Sequence, residues 1–96
     1  MIPAGVRLKR ERDIYMEWAG KTVLITGGSG TIGNALVPIL LHANVSSVRI
    51  YSRDERKQED MARKFSHESR TAGGRLRFFI GDVRDLDRLT LAMKGV

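Results

Sequence analysis

The pattern of apolar and polar positions predicts three strands separated by helices. An apolar, β-branched run of strand length lies at Thr22–Thr26, and runs of strand length whose apolar residues recur on one face lie at Ser47–Tyr51 and Arg75–Ile80. Each run is followed by a segment whose apolar residues recur every three or four positions, as in an amphipathic helix. Strands that alternate with helices form a parallel sheet with helices on its faces. We therefore expect an α/β unit with a three-stranded parallel sheet in the order 3-2-1.

The first two predicted helices differ in polarity. The helix predicted at 31–43 has an apolar stripe that should pack on the sheet. This stripe consists of Ile32, Leu36, Ile39, Leu40 and Ala43. The helix predicted at 54–66 is mostly polar, and its buried positions are expected to be Met61, Ala62 and Phe65.

A glycine-rich turn joins the first strand to the first helix, with Gly27, Gly28, Gly30 and Gly33 within seven residues. Gly27 can supply the turn, Gly30 the close approach of a phosphate, and Gly33 the close packing of helix on strand. A phosphate binds well at a helix N-terminus, which offers unpaired N–H groups and the positive end of the helix dipole. The turn therefore predicts a nucleotide-cofactor site, the alternative being a turn that only connects two elements.

Two other kinds of glycine loop are excluded by their spacing. The phosphate loop of NTPases closes on Gly-Lys-Ser or Gly-Lys-Thr, whereas this loop closes on Ile32, Gly33 and Asn34. The nucleophile elbow of hydrolases needs Gly-x-Ser-x-Gly, and here Thr31 stands where the last glycine is required.

A basic segment follows the second strand, about twenty residues past the glycine turn, where dinucleotide-binding units place the residue that meets the adenosine ribose. An acidic side chain there favours NAD, because it accepts from the ribose 2′-hydroxyl group and repels a 2′-phosphate. This chain has Ser52 and Arg53 there, with Lys57 one helical turn further on. A hydroxyl group and two cations favour NADP over NAD. Asp54 keeps NAD as the alternative, and Ser52 or Asp54 can instead cap the second helix.

The third strand is followed by Gly81, Asp82 and Val83 at the edge of the sheet where the glycine turn also lies. A carboxylate there can accept a hydrogen bond from the adenine amino group while the backbone lines the ring. The alternative for Asp82 is an Asx turn. A last helix is expected after Asp85, its N-cap residue, with Gly95 at its end.

Composition narrows the classes of function. The chain has 96 residues, 42% hydrophobic and 29% charged, and no cysteine, so it forms at most one small domain without disulfides or thiolate metal sites. No apolar run is long enough to cross a membrane, and we expect a cytoplasmic protein. The net charge of +6 is spread over the chain, which argues against nucleic acid as a partner.

Residues 1–20 are predicted to be an extension to a domain that occupies residues 21–96. The spacing of Ile14, Tyr15 and Trp18 favours a short amphipathic helix in this extension. The alternative is a partly ordered arm.

Several of these motifs together resemble a known family. The glycine pattern, the basic segment and Gly81-Asp82-Val83 resemble the N-terminal part of an extended short-chain dehydrogenase/reductase. The segments SRDERKQ at 52–58 and GDVRD at 81–85 are similar to the inverting UDP-N-acetylglucosamine 4,6-dehydratases and their polysaccharide-biosynthesis relatives. The resemblance covers residues 21–96 and implies the N-terminal half of a Rossmann fold, ending before a fourth strand.

The resemblance also implies which residues contact the cofactor. Those around the pyrophosphate would be Ser29, Gly30, Thr31 and Ile32. Those around the 2′-phosphate and adenosine would lie within 53–58 and include Arg53, Asp54, Lys57 and Gln58. Asp82 and Val83 would contact the adenine.

The activity implied is that of an NADP-dependent sugar-nucleotide dehydratase, a homo-oligomeric enzyme acting in polysaccharide biosynthesis. Its Tyr-x-x-x-Lys pair is absent here, because Tyr15 is followed four places on by Ala19 and Tyr51 by Glu55. We therefore predict no catalytic residue within this chain. The alternatives are an epimerase or reductase of the same superfamily, a non-catalytic cofactor-binding module, and a basic interaction module that binds through residues 7–12.

Overall fold

A computed structural model describes residues 17–66 and 74–96, in which three strands and three helices alternate. The elements are β1 (Thr22–Thr26), α1 (Thr31–His42), β2 (Ser47–Ser52), α2 (Glu55–Lys64), β3 (Leu76–Ile80) and α3 (Leu86–Met93). The helix predicted in the N-terminal extension lies almost wholly outside the described residues. Within these residues, no helix is both long and apolar enough to cross a membrane.

The three strands form one parallel sheet with β2 in the centre, which confirms the predicted order. Val48 of β2 lies opposite Val23 of β1 and Leu76 of β3. Because β2 has a neighbour on each side and helices against it, most of its side chains are buried. This sheet with its connecting helices is the arrangement of half a Rossmann fold.

The hydrophobic core lies where α1 and α2 cover one face of the sheet. Its buried members are Val37, Leu40, Val45, Val48, Ile50, Met61 and Leu76. Met61 of α2 is buried as predicted, whereas Ala62 and Phe65 are only partly buried. The core is therefore built mainly from the central strand and one row of each helix.

The helix α1 packs through a different face from the one predicted. Leu40 and Ala43 are buried as expected, but most of the predicted stripe is exposed: Ile32 by 74%, Leu36 by 37% and Ile39 by 60%. The cause is Gly33, because a Cβ atom there would lie 1.5 Å from the carbonyl oxygen of Gly28. The helix can approach the turn so closely only with Gly33 facing it. Val37, one turn further along, is consequently buried, and the stripe beginning at Ile32 faces away from the sheet.

The helix α3 packs on the other face of β2 from α1 and α2. Arg49 lies on this face, since side chains alternate along a strand and Val48 and Ile50 point into the core. Its Nη1 donates to the carbonyl oxygen of Ala92 at 2.8 Å and also to that of Lys94. A cation at the carbonyl end of a helix is favoured by the helix dipole. Arg49 therefore joins the end of α3 to the middle of the sheet.

Candidate nucleotide-binding site

The site begins at the turn between β1 and α1. Gly27 has φ of 63°, a left-handed conformation that a side chain disfavours. Its N–H donates to the carbonyl oxygen of Tyr51 at 2.8 Å, which joins the turn to the end of β2. Gly27 thus supplies the turn predicted for it, and the turn lies at the carboxyl edge of the sheet.

Among residues 17–66 and 74–96, no side chain caps the N-terminus of α1. Its N-cap residue is Gly30, and its first turn has no acidic residue. The other two helices are capped by aspartates: Asp54 accepts from the N–H of Lys57 at 3.0 Å, and Asp85 accepts from the N–H of Arg88 at 3.2 Å. A Cβ atom on Gly30 would meet nothing closer than 3.8 Å. The first N–H groups of α1 therefore begin without a side-chain cap, beside a residue that leaves room for a ligand, which suits an anion.

Two adjoining clefts lie beside this helix terminus. The larger, of about 620 Å³, is lined by Gly27, Ser29, Gly30, Ser52, Arg53, Asp54, Glu55 and Lys57. The smaller, of about 420 Å³, is lined by Gly27, Tyr51, Ser52, Arg53, Gly81, Asp82, Val83 and Arg84. Gly27, Ser52 and Arg53 line both clefts, so a long ligand can pass from one cleft to the other along Arg53.

A third cleft, of about 470 Å³, lies on the α2 side of the turn. Its lining includes Ser29, Gly30 and Thr31 from the turn, and Lys57 and Lys64 from α2. Lys57 lines both this cleft and the 620 Å³ cleft, so one basic residue borders the helix terminus on two sides.

The carboxylate of Asp82 is held by arginines. Arg84 donates to it from Nη2 at 2.8 Å, from Nε at 3.2 Å and from its backbone N–H at 2.8 Å. Arg53 approaches it at 3.4 Å across the smaller cleft. The hydrogen bonds from Arg84 hold the pKa of Asp82 well below its usual range. The carboxylate is therefore ionised, and the backbone bond makes the Asx turn that was the alternative interpretation of Asp82.

Tyr51 fixes the segment that carries Asp82. Its hydroxyl group donates to the Asp82 carbonyl oxygen at 2.8 Å, and a Cβ atom on Gly81 would lie 2.3 Å from this Oη atom. Burial, followed by the charge of Asp85, raises the pKa of the Tyr51 phenol. The phenol is thus a neutral donor that holds the β3 end against the β2 end.

The structure brings together most of the residues predicted for the site. Three of them lie away from the clefts: the side chain of Ile32 is exposed, Gly33 packs on the turn, and Gln58 is buried behind Ser52. The capping alternative is realised by Asp54 and not by Ser52. The described residues contain no group of three or more potential metal ligands.

Sequence reasoning missed three residues of this region: Tyr51, Arg84 and Asn34. Asn34 donates from Nδ2 to the carbonyl oxygen of Gly30 at 2.9 Å and so steadies the turn from within α1. Position at a strand end was the available signal for Tyr51. No local pattern pointed to Arg84 or Asn34, whose roles depend on where their side chains reach.

Comparison with known proteins finds relatives that are named as sugar-nucleotide enzymes. The chain is 44% identical over 80 residues to a UDP-glucose 4-epimerase of Rickettsia typhi, covering 79% of this chain and 22% of the epimerase. It is also 44% identical over 78 residues to an inverting UDP-N-acetylglucosamine 4,6-dehydratase of Campylobacter jejuni, covering 80% of this chain and 22% of the dehydratase. The chain thus spans about a fifth of the length of these relatives.

Solved structures agree with the fold. Pen from Bacillus thuringiensis matches 82% of this chain and 24% of its own, with 35% identity and a TM-score of 0.74. The C-domain of a bacterial malonyl-CoA reductase, solved with NADP, matches 84% of this chain and 13% of its own, with 28% identity and a TM-score of 0.65. Residues 23–96 match the family described as polysaccharide biosynthesis protein, and the chain belongs to this family.

Proposed function

We propose that this chain binds NADP as the nucleotide-binding part of a sugar-nucleotide-modifying enzyme. The observation that carries the proposal is the uncapped N-terminus of α1, which opens at Gly30 beside a cleft that Arg53 and Lys57 line. Unpaired N–H groups and the helix dipole suit a pyrophosphate, and two nearby cations suit a further phosphate. The site thus offers positive groups at two separate points, as a dinucleotide with a 2′-phosphate requires.

The choice of NADP over NAD depends on what Asp54 does. An acidic residue favours NAD when its carboxylate is directed to the ribose hydroxyl groups. Here the Asp54 carboxylate accepts from the N–H of Lys57 and caps α2. Arg53 is largely exposed and can turn from Asp82 to a phosphate. The malonyl-CoA reductase domain, solved with NADP, supports the same choice.

The residues present fit such a cofactor. Gly30, which a phosphate must approach, has no side chain, and a Cβ atom added to it would have no neighbour within 3.4 Å. The pyrophosphate would be held by Ser29, Gly30, Thr31 and Ile32. The 2′-phosphate and adenosine would be held by Ser52, Arg53, Asp54 and Lys57, and Gln58 would lie behind Ser52. The adenine would lie against Asp82 and Val83. When bound, the cofactor supplies a hydride acceptor and donor for the sugar.

For the longer enzyme we infer a 4,6-dehydratase acting on UDP-N-acetylglucosamine, as in the relative from Campylobacter jejuni. A UDP-glucose 4-epimerase is the second candidate, since the Rickettsia typhi relative is equally similar over these residues. Incubating the longer enzyme with each sugar nucleotide separates the two. A dehydratase releases water and gives a 4-keto-6-deoxy product, whereas an epimerase gives an isomer of unchanged mass.

The substitution Gly30→Ala tests the cofactor site. Since a Cβ atom there has room in the protein, we expect an unchanged circular dichroism spectrum. The methyl group would obstruct the approach of a phosphate, and we expect NADP⁺ affinity to fall by about tenfold or more, the effect of losing one charge-assisted hydrogen bond. The control is Ser46→Ala, an exposed position at the opposite end of the sheet. Unchanged affinity in Gly30→Ala would contradict the proposed site.

A further inference from the structure

A chain of buried polar side chains lies beneath the glycine turn. Its members are Ser29, Ser52 and Gln58, which are 6%, 7% and 4% exposed. The two serine Oγ atoms are 3.0 Å apart, and Nε2 of Gln58 is 2.9 Å from Oγ of Ser52. The same Nε2 is 2.8 Å from the carbonyl oxygen of Phe79. The chain thus connects the turn, β2, α2 and β3.

The chemistry of these groups fixes the direction of the bonds at Gln58. The carbonyl oxygen of Phe79 can only accept a hydrogen bond, so the Gln58 atom beside it must be the amide nitrogen. This nitrogen has two hydrogens and donates the second towards Ser52. The Oγ atom of Ser52 is therefore an acceptor for Gln58.

The two serines have one more hydroxyl hydrogen than the bond between them uses. Ser29 and Ser52 together have two hydroxyl hydrogens, and one of them forms the bond between the two Oγ atoms, whichever serine donates it. The other has no acceptor among residues 17–66 and 74–96. Both serines line the 620 Å³ cleft. One O–H group is therefore available to a ligand in that cleft.

We propose that Gln58 is a positioning residue that makes the Ser29–Ser52 pair a hydrogen-bond donor to a phosphate oxygen of the cofactor. This inference rests on the proposed function, which supplies the phosphate. Phosphate oxygens only accept hydrogen bonds, so the pair is useful to them only while a hydrogen remains unused. Gln58 holds the Ser52 Oγ atom by donating an N–H group to it, and it presents to this atom no acceptor that would take the unused hydrogen.

Gln58→Glu reverses the direction of the hydrogen bond between residue 58 and Ser52. A carboxylate beside Ser52 would accept the hydroxyl hydrogen that the pair otherwise offers to the cleft. It would also face the carbonyl oxygen of Phe79 without a hydrogen to donate. We therefore expect Gln58→Glu to weaken NADP⁺ binding more than Gln58→Met, which removes the donor without adding a charge.

A double-mutant cycle distinguishes positioning from a separate structural role. Ser29→Ala, Ser52→Ala and their combinations with Gln58→Met are titrated with NADP⁺, and circular dichroism verifies folding. Because Gln58 acts through the serine pair, each single change should weaken NADP⁺ binding about three- to tenfold. Each double change should weaken binding no more than the single changes do. The control is Glu59→Met, an exposed position on the same helix. Additive losses would overturn the inference. If Gln58→Met does not fold, Ser52→Ala is used in its place, because it keeps the hydrogen bond between Gln58 and Phe79.

Amide hydrogen exchange at residues 27–31 gives a second readout that needs no cofactor. Gln58→Met and Ser52→Ala should each speed exchange in this turn about tenfold, whereas Glu59→Met should not. Faster exchange without NADP⁺ binding by the unmodified chain would support positioning and overturn the proposed function. Unchanged exchange would overturn positioning even if NADP⁺ binds.

Discussion

Arg53 is the side chain on which the choice of cofactor depends. It lies between the two clefts and approaches Asp82 at 3.4 Å. A contact of this length between an exposed arginine and a carboxylate contributes little to stability. Arg84 keeps Asp82 paired when Arg53 turns away. Arg53 can therefore exchange a weak contact for a stronger one with a phosphate.

The substitution Arg53→Ala should weaken NADP⁺ binding by about 10- to 100-fold and change NAD⁺ binding little. A charge-assisted hydrogen bond contributes on the order of 1.5 to 3 kcal/mol, and only NADP⁺ has the 2′-phosphate to receive it. Calorimetric titration with both cofactors measures the two losses. Arg56→Ala removes an exposed cation three residues away that lines neither of the two clefts, so it controls for net charge. Equal losses of affinity for NADP⁺ and NAD⁺ would show that Arg53 does not contact the 2′-phosphate.

Selectivity for NADP⁺ should fall as the pH falls through about 6, where a phosphate monoester takes up a proton and loses a charge. Asp82 does not cause this change. Because its pKa is depressed by Arg84, the stability it contributes is present above the ordinary carboxyl range and is lost only at lower pH. The measurement is the ratio of NADP⁺ to NAD⁺ affinity between about pH 5 and pH 8. In Arg53→Ala most of the dependence should disappear, and a constant ratio in the unmodified chain would contradict the phosphate contact.

Residue type and position in the topology were enough to predict much of the site. Parallel strands end at one edge of a sheet, so Arg53 and Asp82 could be brought together without knowledge of any side chain. The burial of Gln58 could not be predicted this way, because it depends on which side of α2 faces β3. Arg84 and Asn34 were missed for a similar reason, since their roles depend on where their side chains reach.

At the scale of elements, the spacing of apolar residues could not predict which face of α1 packs on the sheet. The strand bounds Thr22–Thr26 agree with the prediction, because the glycines that follow mark where the strand ends. In contrast, α1 has apolar residues on two faces, and both satisfy a helical repeat. Only the contact of Gly33 with Gly28 selects between them. The same contact sets the distance between α1 and the turn.

We expect Gly33→Ala to destabilise the chain by about 3 kcal/mol, a large cost for one methyl group, because the backbone of the turn must move to admit it. Thermal or urea unfolding followed by circular dichroism measures this loss. Gly30→Ala, three residues earlier, adds the same methyl group where there is room. If Gly33→Ala is as stable as Gly30→Ala, α1 does not pack as closely on the turn as the structure indicates.

At the scale of the whole molecule, the described part of the chain leaves apolar surface uncovered. β1 pairs only with β2 among the described strands, so one of its edges is open. Ile32, Leu36 and Ile39 form an exposed stripe on α1. An open strand edge and an apolar stripe are both surfaces that promote association.

We therefore expect the 96-residue chain to self-associate, with a mean sedimentation mass that rises with concentration. Ile39→Lys, two turns from the glycine turn, should lower this mass because it places a charge in the stripe. Ser46→Lys adds the same charge to an exposed position outside the stripe, and should have little effect. If Ile39→Lys associates as strongly as the unmodified chain, the stripe is not the surface responsible.

The most direct test of the account is a titration of the purified 96-residue chain with NADP⁺ and with NAD⁺, followed by calorimetry, on protein shown by circular dichroism to be folded. We expect saturable binding of NADP⁺ and weaker binding of NAD⁺, because the turn at Gly30 serves both cofactors and Arg53 only the first. A folded chain that binds neither cofactor would contradict the central claim that the glycine turn is a nucleotide site.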